Sequence, residues 1–354
     1  MQIELPISKS IANRLLILQA IHGDGLMTVS CDMPDDVRIM SEAIRLLGER
    51  REARIDLGNC GTAMRFLTAY CAQLEGQTII LDGIERMRHR PIGQLVDALR
   101  EIGADIAYLG EEGFPPLRIK GCILDKDRII TLDNPQSTQF VSALLLIGAN
   151  VHTNSTSPYI TLTREIIERY LQRVRRANYS EQSERSTVSI ANELEKDWSA
   201  AAFWYEYVAL YGGEITLPGL FRDSLQGDKV VADIFAHLGV STQYTEEGIV
   251  IYSSPLHPTP YTLHQDFASC PDLYPAVALT CERLGIELHA TGTESLPIKE
   301  SDRLRAVREH RTDHDHRMAM ALLIAGYEVD DTACISKSYP QFLKEWTKVI
   351  HSHE

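Results

Sequence analysis

A chain of 354 residues is too long for one ordinary hydrophobic core, and two domains are expected. With 44% hydrophobic and 24% charged residues it reads as globular rather than disordered or fibrous. A net charge of −14 argues against nucleic acid or an anionic membrane as partner, because either needs a basic face.

The chain opens with a short strand at 2–5 and then SKSIANRLLILQAI, a helix apolar on most faces that Ser8 or Ser10 can cap. Apolarity on every face marks a buried helix. Residues 34–47, PDDVRIMSEAIRLL, repeat their apolar positions every three or four residues up to Gly48, the pattern of a surface helix with a glycine stop. Residues 57–65, LGNCGTAMR, make a glycine turn that runs into a second buried helix, FLTAYCAQL. Gly58 and Gly61 keep side chains away, so backbone N–H groups at the helix start can close on an anion, and Arg65 one turn later can add a charge-assisted contact. The alternative is an ordinary helix start capped by Asn59 or Thr62.

Residues 91–103 supply the one-sided partner helix, with Pro91 near its start and Gly103 at its end. The order then recurs: a buried helix at 134–149 and a one-sided one at 163–174, then 197–210 with 228–239, 269–284 with 299–310, and 313–326 with 340–350. The runs ADIAYLG, EITLPG, GIVIYS and IELHATG between them read as strands, and 179–187 as a plain surface loop.

Six copies of one unit form an internal repeat, three to a domain. Residues 218–228, PGLFRDSLQGD, read as the crossover, which gives domains of 8–222 and of 1–7 plus 223–354. If the buried helices of each half run parallel, their N-termini meet at an interdomain cleft and their dipoles favour negative charge there. The cations agree: Lys9, Arg14, Arg65, Arg86, Arg88, Arg90, Lys299, Arg303, Arg317 and Lys337 all fall in turns or near helix starts. An acidic chain that gathers its cations in this way is expected to bind a small anionic ligand. Seven scattered cysteines, an odd number, suit reduced core thiols. His314 and His316 with Asp313 and Asp315 diverge at a helix start, so no metal is expected. No apolar run approaches a membrane span, and MQIELPISKS lacks the layout of a signal peptide, so a cytoplasmic location is expected.

Nine ordered motifs, SKSIANR, GNCGTAMR, ERMRHRPIG, QSTQFVSALLL, SPYITLT, DSLQGD, IKESDRL, DHDHRMAM and CISKSYP, resemble the 5-enolpyruvylshikimate-3-phosphate synthase family from one end of the chain to the other. The resemblance implies an α/β fold of two similar domains, each of three βαβαββ units. It also implies transfer of the enolpyruvyl group of phosphoenolpyruvate to the 5-hydroxyl of shikimate 3-phosphate, with release of phosphate, by a monomer that uses no metal or other cofactor. By the same match, Lys9 lies between the substrates, and Ser10, Arg14, Ser137, Thr138, Thr156, Tyr159, Ser295 and Lys299 sit on the shikimate 3-phosphate side. Asn59, Gly61, Arg90, Gln139, Arg303, Arg317 and Lys337 sit on the phosphoenolpyruvate side, Asp272 accepts the 5-hydroxyl proton and Glu300 protonates the methylene carbon.

Arginine forks suit a donor that carries a carboxylate and a phosphate, and two carboxylates in different protonation states suit a reaction that gives one proton and takes another. The chain departs from the family at Cys60 (usually Ala), Ser295 (often Asn) and Thr156 (for Ser). It is also short before the glycine turn and at EHRTDHDHRM, where strands of the last unit are normally found, either because it is pared down or because residues are missing from the sequence at these joins. Two other readings stand beside this one: a related UDP-N-acetylglucosamine enolpyruvyl transferase, which lacks the SKS-x-x-NR and KESDRL patterns, and a catalytically dead relative that only binds ligand.

Overall fold

Helices buried on every side alternate along the chain with helices that present one apolar stripe, as the sequence pattern requires. In the computed structural model, which describes residues 1–179, 194–255 and 262–351, the order is α1 (Lys9–His22) and α2 (Asp35–Glu49), then α3 (Gly61–Ala72), the short α4 (Glu85–Arg88) and α5 (Gly93–Glu101), then α6 (Thr138–Leu146) and α7 (Pro158–Tyr179). It continues with α8 (Trp198–Tyr211) and α9 (Val231–Ala236), α10 (Tyr274–Leu284) and α11 (Arg303–Glu309), and α12 (His316–Ile324) and α13 (Phe342–His351). Every residue of α3 is buried, and α8 is buried from Trp198 to Val208. The expected loop at 179–187 lies, beyond Tyr179, outside the described residues.

The chain separates into one unit of Ser10–Cys31 and Asp36–Leu194 and another of Met1–Lys9, Asp32–Asp35 and Glu195–Glu354. Each therefore holds three buried helices with their one-sided partners. The division falls at 194/195 rather than at residue 222, because α8 packs on α10 and α12 and so belongs with them. Residues 218–228 are thus a turn inside the second unit rather than a crossover.

In the first unit β1 (Glu52–Asp56) and β2 (Thr78–Asp82) pair in parallel, Ile55 opposite Leu81, and β3 (Asp105–Tyr108) and β4 (Leu117–Lys120) complete a sheet of order β1-β2-β4-β3 with antiparallel pairings. This is a full βαβαββ unit. A second pair, β5 (Ile130–Thr131) and β6 (Val151–His152), is parallel. The second unit holds an antiparallel sheet of β7 (Glu214–Pro218), β8 (Val240–Tyr244) and β9 (Gly248–Ser253) in the order β7-β9-β8, and a parallel pair of β10 (Thr262–Asp266) and β11 (Glu287–Thr291).

Three local expectations change. The opening strand is a single bridge from Gln2 to Thr216. Gly48 lies inside α2 instead of ending it. The short join EHRTDHDHRM closes as a turn in which His310, Asp313 and His314 take positive φ, and Arg311 N–H reaches Ala306 O at 3.0 Å. Asp313 accepts from Arg305 at 2.8 Å and from Arg311 at 3.1 Å, so polar groups of the join are satisfied by side chains.

Candidate functional site

Each unit carries a polar cluster at the starts of its buried helices. In the first unit β1 ends in Asp56, whose Oδ1 accepts from Gly58 N–H at 2.8 Å, and Gly58 takes φ 54° to turn the chain toward α3. Cys60, rather than Asn59 or Thr62, caps that helix, its thiol accepting from Ala63 N–H at 3.4 Å. Arg65 Nη1 donates to Gly61 O at 2.9 Å and its guanidinium lies over the Phe140 ring. Arg90, 8% exposed, comes to the same place: a Cβ built on Gly61 would lie 2.5 Å from Arg65 Nη1 and 2.6 Å from Arg90 Nη1. Two cationic forks thus flank the open end of α3, whose dipole has the same sign.

Ser137 caps α6 by accepting from Gln139 N–H at 3.3 Å, and Gln139 Nε2 donates to Thr62 Oγ1 at 3.0 Å, which ties the α6 turn to the glycine turn. Thr138 is the first residue of α6, and Thr156 is exposed just before α7. Arg14 joins four helices: it donates to the Ser10 carbonyl at 2.7 Å, to Thr163 Oγ1 at 2.7 Å, and to Ser142 Oγ and the Tyr159 carbonyl at 3.3 Å, and it lies over Phe66. Burial pushes its guanidinium down to about 10. Arg14 thereby braces Ser10 and Tyr159.

In the second unit Arg303, fully buried, is the hub. Its Nε donates to Asp315 Oδ2 at 2.8 Å, Nη1 to Asp272 Oδ1 at 2.8 Å and Nη2 to Glu300 Oε2 at 3.2 Å. Arg317 Nη2 meets the other Asp272 oxygen at 2.8 Å, Lys299 Nζ stands 3.6 Å from Asp272, and Lys337 Nζ donates to Glu300 Oε1 at 3.1 Å. Burial pushes the Asp272 carboxyl up, but Arg317, then Lys299, Arg303 and Lys9, outweigh it and hold the group well below the usual carboxylate range. Burial, with Arg317, Lys9 and Lys337 beside it, holds His316 well below the usual imidazole range, so this ring is neutral. Asp228 goes the other way, pushed up to about 6 by burial and then by the charge of Asp272.

Lys9 is anchored through its own backbone, N–H to Asp197 Oδ2 at 3.2 Å. The residue before it, Ser8, donates to Gln226 Oε1 at 2.8 Å instead of capping α1. Ser295 opens the short turn that leads to Lys299 and makes no capping bond.

A family model described as EPSP synthase (3-phosphoshikimate 1-carboxyvinyltransferase) matches residues 1–310 and 308–346. The chain belongs to the EPSP synthase family. Among curated relatives, a 3-phosphoshikimate 1-carboxyvinyltransferase of Bacteroides fragilis (strain YCH46) is 38% identical over 400 aligned positions, covering 98% of this chain and 94% of the relative. That of Cellvibrio japonicus is 31% identical, covering 98% and 96%. Since 400 aligned positions exceed the 354 residues here, the Bacteroides relative carries residues that this chain lacks. An EPSP synthase structure from Acinetobacter baumannii superposes with a TM-score of 0.66 at 20% identity, covering 98% of this chain and 95% of that one, which shows the same two-domain α/β fold.

Within this EPSP synthase relative the expected residues fall into two sets. Asn59, Gly61, Arg90, Gln139, Ser137, Thr138, Ser10, Arg14, Thr156 and Tyr159 lie in the first unit, and Lys9, Asp272, Ser295, Lys299, Glu300, Arg303, Arg317 and Lys337 in the second. Hydrogen bonds and ion pairs tie Asp272, Lys299, Glu300, Arg303, Arg317 and Lys337 directly together. Sequence reasoning missed Asp228 and Gln226, though the motif DSLQGD contains them, while Asp315, considered there only beside His314 and His316, caps α12 and holds Arg303. His314, exposed, pairs with Asp331 at 2.6 Å, away from its neighbour His316 in the buried cluster.

Proposed function

We infer that this chain transfers the enolpyruvyl group of phosphoenolpyruvate to the 5-hydroxyl of shikimate 3-phosphate and releases phosphate. The observation that carries the reading, beside family membership, is the Arg303 hub, in which two carboxylates proposed to take and give protons are each clamped by cations. An anionic donor entering this cluster competes with Asp272 and Glu300 for Arg317, Arg303 and Lys337. As those cations turn to the donor, Asp272 loses the charges that depress it and becomes a better base for the acceptor hydroxyl, while Glu300 becomes able to hold a proton for the methylene carbon. Lys9 and Lys299 contribute charge on the acceptor side, and Arg65, Arg90, Gln139 and Asn59 with the α3 N-terminus form the donor pocket of the first unit. Ser10, Arg14, Ser137, Thr138, Thr156, Tyr159 and Ser295 serve shikimate 3-phosphate. The protein works as a monomer in the cytoplasm on these two small anions.

Calorimetric titration with shikimate 3-phosphate alone, followed by a phosphate-release assay with both substrates, tests this. Binding with turnover is expected. Binding without turnover would make the chain a ligand-binding relative, and turnover with UDP-N-acetylglucosamine as acceptor would replace the assignment.

A further inference from the structure

Asp82 ends β2, and its contacts lead toward Arg90. Its Oδ1 accepts from Arg88 Nε and its Oδ2 from Arg88 Nη2, both at 3.0 Å, while Arg54 Nη2 donates to Oδ2 at 2.9 Å and Gly83 N–H to Oδ1 at 2.8 Å. The Asp82 side chain is 7% exposed and that of Arg88 43%, so this is a two-point grip on a nearly buried carboxylate by a half-exposed arginine. Burial alone raises its carboxyl, and Arg88, the Gly83 N–H and Arg54 bring it below the usual range.

The backbone around it joins two turns. Leu57 N–H donates to Asp82 O at 2.9 Å, and Ile84 N–H to Gly58 O at 3.1 Å, which fastens the turn carrying Asn59 and Gly61 to the turn carrying Arg90. The approach is close: a Cβ on Gly83 would lie 2.5 Å from Gly58 O. The next element, α4, is one turn long and cannot hold its own shape. Arg90 N–H closes it by donating to Met87 O at 3.0 Å, two residues beyond Arg88.

We propose that the Asp82–Arg88 ion pair is a positioning device for Arg90: it fixes α4 against the end of β2 and so sets the affinity of the glycine-turn pocket for the phosphorylated donor. This rests on the enolpyruvyl-transfer reading above. The bland alternative is a staple that only holds the sheet end together.

Wild-type turnover with both substrates is measured first and tests that reading separately. Asp82→Asn and Arg88→Gln are then expected to raise KM for phosphoenolpyruvate about tenfold with kcat within about twofold and KM for shikimate 3-phosphate unchanged. Arg88→Lys, which keeps the charge but not the fork, is expected to lose only about threefold. Hydrogen exchange at the Arg90 Nε–H, followed by NMR on the free protein, needs no turnover and is expected to quicken about tenfold in Asp82→Asn. Unchanged Arg90 exchange with an unchanged donor KM overturns the proposal, as does a parallel rise of both KM values with a lowered melting temperature. Quickened exchange in a protein without turnover sinks the transfer reading and leaves the positioning role standing.

Discussion

Replacing Gly61 by Ala adds one methyl group at the point where Arg65 and Arg90 meet. Gly61 is the first residue of α3 and has no positive φ, unlike Gly58 at 54°, so alanine meets no backbone strain there. What the methyl meets is Arg65 Nη1 at 2.5 Å, Arg90 Nη1 at 2.6 Å and Arg90 Cζ at 2.8 Å, the ends of two flexible side chains. Both forks must retreat by about 1 Å to reach ordinary contact, a displacement of the kind that costs a reacting site about a hundredfold. The fold is expected to keep its stability, since the methyl meets the ends of side chains rather than backbone. Loss of one charge-assisted hydrogen bond to the donor, about 1.5–3 kcal/mol, gives a fall of roughly tenfold to a hundredfold in kcat/KM for phosphoenolpyruvate. The assay is steady-state phosphate release with each substrate varied in turn, alongside a thermal melt. A donor-specific defect with an unchanged melting temperature is expected. Parallel losses for both substrates with a lowered melt, or unaltered kinetics, would refute the reasoning. Gly83→Ala is the contrast, because its methyl would strike the Gly58 carbonyl, and it is expected to lower the melting temperature.

Three further outcomes are expected. Asp272 is held below its ordinary range by Arg317, Lys299, Arg303 and Lys9 against the effect of burial, so its stabilisation is present above the unfolded value of about 3.9 and lost as pH falls through the folded one. Asp272→Asn should destabilise the protein at neutral pH by about 3–5 kcal/mol and remove part of the acid limb of a melting-temperature profile. Glu206, fully buried in α8 with no hydrogen-bond partner for either oxygen among the described residues, is raised well above its ordinary range by burial, so stability is full below the unfolded value and falls as pH rises above it. Glu206→Met should add about 1–3 kcal/mol at neutral pH and flatten that slope, as read by urea unfolding at acid and neutral pH. Gln226 accepts from Ser8 Oγ and Trp198 N–H and donates to the Lys196 carbonyl, so Gln226→Ala should cost about 1–3 kcal/mol and lower kcat by loosening the turn before Lys9, which stopped-flow and denaturant titrations can separate.

The helix pairs were legible because burial on all sides and burial on one side leave different periodicities, and α3 and α8 carry theirs without interruption. Strands were less so: EARID and TLHQD are largely polar, and β5 and β6 have two residues each, so it is the partner strand and not the side-chain pattern that makes them strands. Cations gathered in turns pointed to the candidate site, although Arg88 is engaged with Asp82 and Arg14 with the carbonyls of Ser10 and Tyr159. Their buried counterparts Asp228 and Gln226 could not be read, since their partners Ser199 and Ser8 lie 29 and 218 residues away and only folding selects them. The unit boundary was misplaced because a Pro- and Gly-rich segment looks like a linker, whereas here Gly219 continues the β7 turn and bonds across to Glu247. Cys60 was passed over as a cap because a thiol ranks below Ser, Thr, Asp and Asn for that role.

The separation of Met1–Lys9 from Glu195–Glu354 by most of the other unit also sets an order of assembly. Met1 N donates to Glu214 O, Ile3 N–H to Thr216 O, and the Glu4 carbonyl accepts from Tyr339 Oη, so residues 1–4 are held by residues more than 200 positions later. During synthesis on the ribosome residues 6–9 pair with 195–197, residues 1–3 wait for 214–216, and the Tyr339 contact waits longer still. The described residues 10–31 and 36–179 meet no such delay and can condense first, closing short loops before long ones.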